Sequence, residues 1–172
     1  MYKKINKCRI CGNENLQDVL NLGEQYLTGR FCDVGDNSLQ KSPLVLTTCS
    51  KNKSTVDNPC GLVQLRHTYS LNEMYGETYG YRSSLNSSMI SHLRNKVENL
   101  INFIPLNSDD VVLDIGSNDG TLLGFYDKSL IRVGIDPASE KYASFYQKDI
   151  LRSSEFFSSE SYKKLTGSKK AK

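Results

Sequence analysis

The segment VVLDIGSNDGTLL at residues 111–123 decides the fold of this chain, together with the segment IRVGIDP at residues 131–137. Each begins with a short apolar run rich in β-branched residues, as buried parallel strands do. The first run ends in a glycine-containing turn, and the second ends in an acid. Successive strands of this kind form a nucleoside pocket outside the carboxyl ends of a parallel sheet. The two segments therefore predict an α/β domain that binds an adenosine-containing cofactor.

The residues after each predicted strand supply the contacts that such a cofactor needs. Gly116 and Gly120 lack a Cβ atom, so the backbone between them can turn sharply and approach a ligand closely. A helix is predicted to begin near Thr121, at the end of this turn. Asp136 follows the second strand, at residues 131–135, and its carboxylate can accept hydrogen bonds from both hydroxyls of a ribose.

The spacing of the glycines separates two cofactor classes. A dinucleotide-binding turn has the pattern Gly-x-Gly-x-x-Gly, whose glycines make room for a pyrophosphate. Here Asn118 stands where the second glycine is expected, and its side chain would crowd a pyrophosphate but can hydrogen-bond a smaller, cationic ligand. The pattern, with Asp114 at the end of the strand, resembles motif I of class I S-adenosylmethionine-dependent methyltransferases, and Asp136 resembles their ribose-binding acid. An ordinary βαβ turn with an incidental acid is the alternative.

The composition is that of a globular chain without a membrane span. Of 172 residues, 24% are charged and 38% are hydrophobic, which suits one medium domain or two small ones. No apolar run approaches the roughly 20 residues that cross a bilayer, and no signal-peptide core follows the first residues. We therefore expect a cytoplasmic protein. The net charge is +3 with lysines concentrated at the chain ends, which indicates a solvated tail and no nucleic-acid partner.

The cysteines give the second strong signal. Cys8 and Cys11 form a C-x-x-C pair followed by glycine, and Cys49 and Cys60 supply two more thiols. In a reducing compartment, paired cysteines of this kind are more often metal ligands than disulfides. Four thiolates form a closed, structural zinc site. The polar insertion at residues 50–59 departs from a compact knuckle, so unpaired thiols in a small core are the alternative.

The fifth cysteine and the two histidines leave this prediction unchanged. Cys32 is most simply a free cysteine. His67 follows a predicted strand, and it would replace Cys49 or Cys60 as a ligand only if the long insertion prevented four-cysteine closure. His92 lies in a helical pattern, where a lone histidine is usually a surface or hydrogen-bonded residue.

The chain is predicted to contain three parts. Residues 1–68 form a small zinc-binding domain with little core of its own. Residues 69–105 form a connector with a tyrosine-rich segment and a helix that Pro105 ends. Residues 106–172 begin the α/β domain. The helix of the connector is expected to bury one apolar face, formed by Met89, Leu93, Val97, Leu100, Ile101 and Ile104.

The motifs, taken in order, resemble those of one family. They are CRICG at 8–12, LNLG at 20–23, CGLVQL at 60–65, YGYRSS at 79–84 with HL at 92–93, and DIGSNDG at 114–120. In this order they resemble the deoxysugar C-methyltransferases over nearly the whole chain. Members of that family join an amino-terminal zinc-binding domain to a Rossmann-like class I methyltransferase domain and a carboxyl-terminal domain. They place a methyl group on a carbon beside the keto group of a nucleotide-linked sugar.

The resemblance implies a chemistry and a candidate catalytic residue. A carbon beside a carbonyl is acidic enough for a positioned base to remove its proton, and the enolate carbon can then attack the methyl group of a sulfonium. Tyr81 matches the family's Tyr-Arg-Ser-Ser segment and is the candidate acid/base or donor to the enolate oxygen. Tyr79 is its nearest competitor. The alternative is that both rings pack the domain junction.

The resemblance also implies more chain than is present. A class I methyltransferase sheet has seven strands, whereas residues 111–172 provide two clear strands and part of a third. The histidine base of the family has no matching position. We therefore expect an amino-terminal fragment that is inactive by itself. A non-catalytic zinc-stabilised binding module, or half of a split methyltransferase that a separate chain completes, is the alternative; Asn118 argues against a dinucleotide oxidoreductase.

Overall fold

The chain divides into two compact units, Met1–Met74 and Tyr75–Lys172. A computed structural model describes residues 2–27, 29, 33–35, 40–76 and 79–172. Cys32, the predicted free cysteine, lies outside the described residues. Within the described ranges, no helix has both the length and the apolar character that a bilayer crossing requires.

Antiparallel strands build the first unit. β1 pairs with β5, and a second sheet has the order β2-β3-β4. A short helix, α1, follows the last strand and reaches the boundary between the units. The elements are β1 (Tyr2–Lys4), β2 (Leu16–Tyr26), β3 (Lys41–Cys49), β4 (Val63–Leu65), β5 (His67–Tyr69) and α1 (Leu71–Tyr75).

The apolar core of the first unit is small and centres on cysteines. Cys8, Leu16 and Cys49 form its buried cluster, a few partly buried side chains pack against them, and Val45 is buried as well. β2 is an edge strand whose residues are exposed after Leu16. So little apolar burial stabilises a unit of this size weakly, and small domains of this kind generally need a metal or disulfides.

The helix predicted in the connector is present as α2, Ser87–Phe103. Asn86 caps its first turn, because the Asn86 side chain accepts a hydrogen bond from the Ser88 N–H at 2.9 Å. His92 is exposed, as expected. The prediction of one buried apolar face is wrong for most of the helix. Val97 is its buried member, whereas Leu100, Ile101 and Ile104 are exposed because the described sheet covers only part of this face.

The second unit contains a parallel sheet. Its strands are β6 (Val111–Ile115), β7 (Ile131–Ile135) and β8 (Leu151–Ser153), in the order β6-β7-β8. Both clearly predicted strands are therefore present, and the part of a third strand that was expected is present as β8. After β8 the chain forms helix α3 (Ser159–Thr166) and returns to Val111, which forms a parallel bridge with Ala171 on the free edge of β6.

This return reverses the strand order beside β6. β7 and β8 extend the sheet on one side of β6, and Ala171 lies on the other. In open α/β sheets, ligands bind outside the carboxyl ends of the strands where the order reverses. The topology therefore places a candidate ligand-binding site at the carboxyl end of β6.

The helix predicted to begin near Thr121 is absent. One 3₁₀ turn, Leu123–Phe125, replaces it, and the next crossover holds two more, Pro137–Ser139 and Ala143–Phe145. Gly120 and Gly124 reduce helix propensity in the first crossover. Tight 3₁₀ turns span these short connections because they rise further per residue than an α-helix.

Arg132 compensates for the missing helices. Its side chain is 1% exposed, and its guanidinium donates to the carbonyl oxygens of Leu123 and Tyr126, each at 3.4 Å. It also pairs with the Asp149 carboxylate and donates to the Gln147 side chain at 2.9 Å. Arg132 thus satisfies carbonyl groups that a helix would pair internally, and it ties both crossovers to β7.

Two apolar clusters cover the faces of the sheet. One contains Val112, Leu123, Leu130, Tyr146 and Ile150. The other contains Val111, Val133 and Ile135, and side chains of α3 pack against it. The loops after β6 and β7 stand at the carboxyl edge between these layers, which places the glycine turn on a packed support.

Candidate functional site

The four predicted metal ligands lie together in the first unit. The sulfur atoms of Cys8, Cys11, Cys49 and Cys60 are all within 4.8 Å of one another. Cys8 and Cys60 are 3.5 Å apart at sulfur, as are Cys11 and Cys49. Zinc at about 2.3 Å from four tetrahedral sulfurs places those sulfurs about 3.8 Å apart. The cluster therefore fits a structural zinc ion, and His67 is not one of its members.

The local sequence explains how the first two cysteines converge. The Cys8 carbonyl accepts the Gly12 N–H at 3.0 Å, and the Cys8 N–H donates to the Asn13 carbonyl at 2.8 Å. Gly12 has a φ of 75°, a left-handed conformation that closes this tight knuckle. Cys49 is brought opposite the knuckle because it ends β3, next to the paired strand β4.

Two amide side chains that the sequence did not single out support the cysteines. The Asn13 side chain donates to the Cys49 sulfur at 3.3 Å, and the Gln64 side chain donates to the Cys8 sulfur at 3.2 Å. The Asn13 side-chain oxygen also accepts the Thr55 N–H at 3.0 Å, which holds the polar insertion beside the cluster. Outer hydrogen bonds of this type orient metal ligands.

The electrostatics of the cluster favour a bound cation. Burial opposes ionisation of Cys8, but hydrogen bonds from the Cys11 and Ile10 N–H groups outweigh it and lower the Cys8 pKa to about 6. A Leu62 N–H lowers the pKa of Cys60, yet burial and the neighbouring thiols raise it to about 11. The thiols thus compete for negative charge, and a divalent cation relieves that competition.

The glycine turn in the second unit has an unusual backbone. Gly116, Asn118 and Gly120 have φ values of 78°, 51° and 75°. A Cβ atom on Gly120 would lie 2.7 Å from the Tyr146 ring, so this position needs glycine for space as well as for conformation. The Tyr146 hydroxyl lies 2.8 Å from the Ser117 hydroxyl and donates to the Asn118 carbonyl at 2.9 Å. Tyr146 therefore supports the turn from below.

Two carboxylates stand at the carboxyl ends of neighbouring strands. Asp136 accepts the Asn118 N–H at 2.8 Å through one oxygen and the Ala138 N–H at 2.6 Å through the other. Each oxygen retains a second lone pair. Burial, and then the nearby Asp136 charge, raise the pKa of Asp114 to about 6 against the opposing effect of Lys96. Two interacting carboxylates produce a negative field that favours a cationic ligand.

The side chains of Asn118 and Asp119 bind the tyrosine-rich segment. Asn118 accepts the Ser83 N–H at 2.9 Å and donates to the Tyr81 carbonyl at 3.0 Å. Asp119 accepts the Ser84 N–H at 2.9 Å. The sequence led us to expect the Asn118 side chain at the ligand, whereas its amide is engaged by the protein's own backbone.

The two candidate tyrosines occupy different environments. The Tyr81 side chain is 42% exposed. Tyr79 is partly buried, and burial together with the Asp136 charge raises its pKa, so its hydroxyl holds its proton firmly. Tyr79 is therefore better suited to donate a hydrogen bond than to act as a base.

Sequence reasoning missed the tyrosines beneath this segment. Tyr142 donates to the Tyr81 carbonyl at 3.1 Å, and Tyr146 supports the glycine turn. Both precede β8 in a crossover with no α-helix, where helical periodicity gives no signal. The feature that could have identified them is the aromatic cluster of residues 142–146.

Comparison with known proteins finds a zinc-binding family in the first unit and a methyltransferase relative. The Methyltransf_13 family, described as "Putative zinc binding domain", matches residues 8–75, which include all four clustered cysteines. The C-methyltransferase NovU of Streptomyces niveus is 32% identical over 143 residues, which is 80% of this chain. Over most of its length, the chain is therefore similar to a C-methyltransferase. The family resemblance inferred from the ordered motifs is thereby confirmed.

The similarity to a zinc-binding domain thus lies at the amino-terminal end of the chain, and the similarity to a C-methyltransferase covers most of it. The aligned region is 31% of the length of NovU, so the chain spans about a third of that relative. The chain has a mixed α/β fold, with a four-cysteine cluster in its amino-terminal unit and a parallel sheet in the second. The parallel sheet fits the start of a Rossmann-like domain.

Proposed function

We propose that this chain carries the zinc-binding unit and the S-adenosylmethionine-binding edge of a C-methyltransferase that acts on a nucleotide-linked keto-deoxysugar. The observation that carries the proposal is the pair Asp114 and Asp136 flanking the glycine turn where the strand order reverses. A negatively charged pocket suits a sulfonium and an ammonium, whereas the pyrophosphate of a dinucleotide would be repelled. The relative NovU is a C-methyltransferase, which supports the same reaction class.

Each residue of the edge has a role in this proposal. Asp136 binds the ribose hydroxyls through its remaining lone pairs. The turn from Gly116 to Gly120 lies beneath the amino-acid part of the cofactor. The space above Gly116 is open to a ligand, because a Cβ atom added there would have no neighbour within 4 Å. Asp114 interacts with the positive charge of the ligand. When bound, S-adenosylmethionine supplies an electrophilic methyl group.

Tyr81 is the catalytic residue in the proposal. Its partly exposed ring belongs to a segment that the glycine turn holds, so it can reach an acceptor beside the cofactor edge. There it takes or gives a proton at the carbon beside the keto group, or donates to the enolate oxygen. Tyr79, whose pKa is raised, serves as the donor if Tyr81 serves as the base.

The parallel sheet has three strands in the described residues, and many apolar side chains of the second unit are exposed, among them Leu100, Ile101 and Ile115. We therefore propose that residues 1–172 alone bind cofactor weakly and do not turn over, because one side of the pocket and its cover must come from elsewhere. A second candidate function follows from the same surface. The chain is then one half of a split methyltransferase, or a zinc-stabilised binding module, completed by a separate chain.

Calorimetric titration tests the cofactor assignment. The 172-residue chain is titrated with S-adenosylmethionine and with NAD, and we expect heat with the first and none with the second. Replacement of Asp136 (Asp136→Ala) should weaken S-adenosylmethionine binding by about 1–3 kcal/mol, because a ribose hydroxyl loses its acceptor. Asp136→Asn retains one acceptor oxygen for the turn and should weaken binding less.

The exposed Asp57 provides a matched control, since Asp57→Ala removes a carboxylate in the other unit. It should leave binding unchanged. Equal affinity of the wild type and Asp136→Ala would exclude the ribose role. Preference for NAD would instead favour the dinucleotide enzyme.

A further inference from the structure

The glycine turn does more than make room for a ligand. Two of its side chains, Asn118 and Asp119, are turned onto the main chain of the segment that carries Tyr81. Asn118 contacts the Tyr81 carbonyl and the Ser83 N–H, and Asp119 contacts the Ser84 N–H, all at 2.9 to 3.0 Å. Three consecutive anchors thus connect the turn to a segment 35 or more residues earlier.

These anchors are built into buried structure. Asn118 is 6% exposed and Asp119 is 1% exposed. Asn118 has a left-handed φ of 51°, and Asp136 accepts its N–H at 2.8 Å, so its side chain is held in one direction. A second Asp119 oxygen accepts the Thr121 N–H at 3.1 Å and the Thr121 hydroxyl at 2.6 Å. A buried carboxylate with this many donors is a rigid acceptor.

The anchors act on the backbone of the segment rather than on its tyrosine. From the other side, Tyr142 donates to the Tyr81 carbonyl at 3.1 Å, and the Arg82 guanidinium lies 4.0 Å from the centre of the Phe145 ring. The Tyr81 side chain itself stays 42% exposed. The main chain at Tyr81 is therefore fixed from two sides, while its ring remains available to a ligand.

We propose that Asn118 and Asp119 are positioning residues that hold the segment 81–84 over the cofactor edge and so place Tyr81. Asp136 links the two halves, because the carboxylate assigned to the ribose also binds the Asn118 N–H. A cofactor bound at Asp136 then changes the position of Tyr81 through Asn118. This inference rests on the proposed function for the role of Tyr81, whereas the anchoring itself does not.

Hydrogen exchange in the whole 172-residue chain tests the anchoring without any ligand. Asn118→Gly removes the side chain and keeps the positive φ accessible, and Asp119→Ala removes the second acceptor. We expect the Ser83 amide to exchange about tenfold faster or more in the first variant, and the Ser84 amide in the second. Asp119→Asn retains an acceptor oxygen and should largely restore protection of Ser84.

Amides of β6 and β7 provide the internal control, and Asn95→Ala on the exposed side of α2 is the matched variant. Both should show wild-type protection. Unchanged exchange at Ser83 and Ser84 would overturn the proposal. So would equal acceleration throughout β6 and β7, because the two residues would then hold the whole unit rather than one segment.

Tyrosine labelling tests the link to the cofactor. In a chain with ¹³C-labelled tyrosine, the Tyr81 ring signal is assigned with Tyr81→Phe, and S-adenosylhomocysteine is added as the probe. We expect a ligand-induced shift of this signal in the wild type and its loss in Asn118→Gly. The same shift in both chains would refute the positioning role. Absence of binding by the wild type would count against the proposed function, while hydrogen exchange still decides the anchoring.

Discussion

The two units of the chain are stabilised by different chemistry. In the first, Cys8 and Cys49 form a buried cluster with Leu16, so two of the predicted metal-ligand cysteines are themselves part of the core. In the second, aliphatic and aromatic side chains cover both faces of a parallel sheet. A buried guanidinium, Arg132, replaces the hydrogen bonds that crossover helices would have made. The comparison shows that a rigid scaffold can be stabilised by metal coordination in one unit and by apolar packing in the other.

The difference also determines what each scaffold positions. The zinc cluster of the first unit is closed by four protein ligands, so it has no open coordination position for a substrate. The glycine turn of the second unit is open at Gly116 and supported below by Tyr146. The first unit therefore fits a structural metal site, and the second is the unit in which we propose that the cofactor binds.

Metal removal should give the largest effect and should be confined to the first unit. Chelation, or the double variant Cys8→Ala and Cys11→Ala, removes a binding free energy of about 10 kcal/mol or more. We expect about one zinc ion per wild-type chain, its loss in the double variant, and loss of amide protection in β3 and β4. Amides of β6 and β7 should stay protected.

Cys32→Ser is the matched control for that experiment, since Cys32 is predicted to be a free cysteine. It should keep the full zinc content. A metal-free chain with an unchanged melting curve would contradict the role of the cluster, and loss of β6 protection on chelation would contradict the independence of the units.

A cavity in the second unit should give the next largest effect. Leu123 is fully buried in the cluster over the sheet, at 0% exposed. Leu123→Ala should lower the free energy of unfolding of this unit by about 2–5 kcal/mol and leave the zinc content unchanged. Urea unfolding followed by amide signals of β7 measures it.

Leu151→Ala is the control for the cavity, because Leu151 is 40% exposed in β8. It should change the free energy of unfolding by no more than about 0.5 kcal/mol. Similar losses in both variants would mean that exposure in the structure does not report packing in this unit.

The sequence predicted the sheet and the metal ligands because both depend on local patterns. The strands at 111–115 and 131–135 were identifiable from short apolar runs bounded by turn residues. Cys8 and Cys11 were identifiable from their spacing alone. The hydrogen bonds from the Asn13 and Gln64 side chains to cysteine sulfurs could not be predicted. They depend on which side of the cysteine knuckle a distant strand lies.

One prediction failed where tertiary contacts override local preference. The helix predicted after Gly120 is replaced by a 3₁₀ turn whose carbonyl groups accept hydrogen bonds from Arg132. No periodicity in the sequence reveals these buried contacts. Asn118 stays a predicted cofactor-binding residue, and the contacts of its side chain with the segment 81–84 are an addition that the local sequence did not reveal. Identifying a polar residue in a turn does not show which neighbour it will bind.

The smallest expected effect is a pH dependence of the second unit that arises from Asp114. Burial, and then the Asp136 charge, raises its folded-state pKa from 3.8 to about 6. Below the ordinary pKa the carboxyl is protonated in both states, and its favourable contribution to folding is fully present. As the pH rises through the folded pKa, the native state must bury a charge, and that contribution is lost. Asp114→Asn cannot ionise, so the variant should gain stability relative to the wild type by roughly 1–3 kcal/mol between about pH 4 and pH 7.

Asp110→Asn gives a control of opposite sign. Hydrogen bonds from the Asn107 N–H and from Lys172 lower the pKa of Asp110, so its contribution is present above its ordinary pKa and lost as the pH falls through the folded value. Urea unfolding at several pH values, followed by the amides of β7, measures both variants. Asp114→Asn should approach the wild type in acid, whereas Asp110→Asn should be the less stable chain at neutral pH. If the stability difference for Asp114→Asn were the same at every pH, the pKa of this carboxyl would be equal in the folded and unfolded states, and the effects of burial and of the Asp136 charge on Asp114 would be refuted.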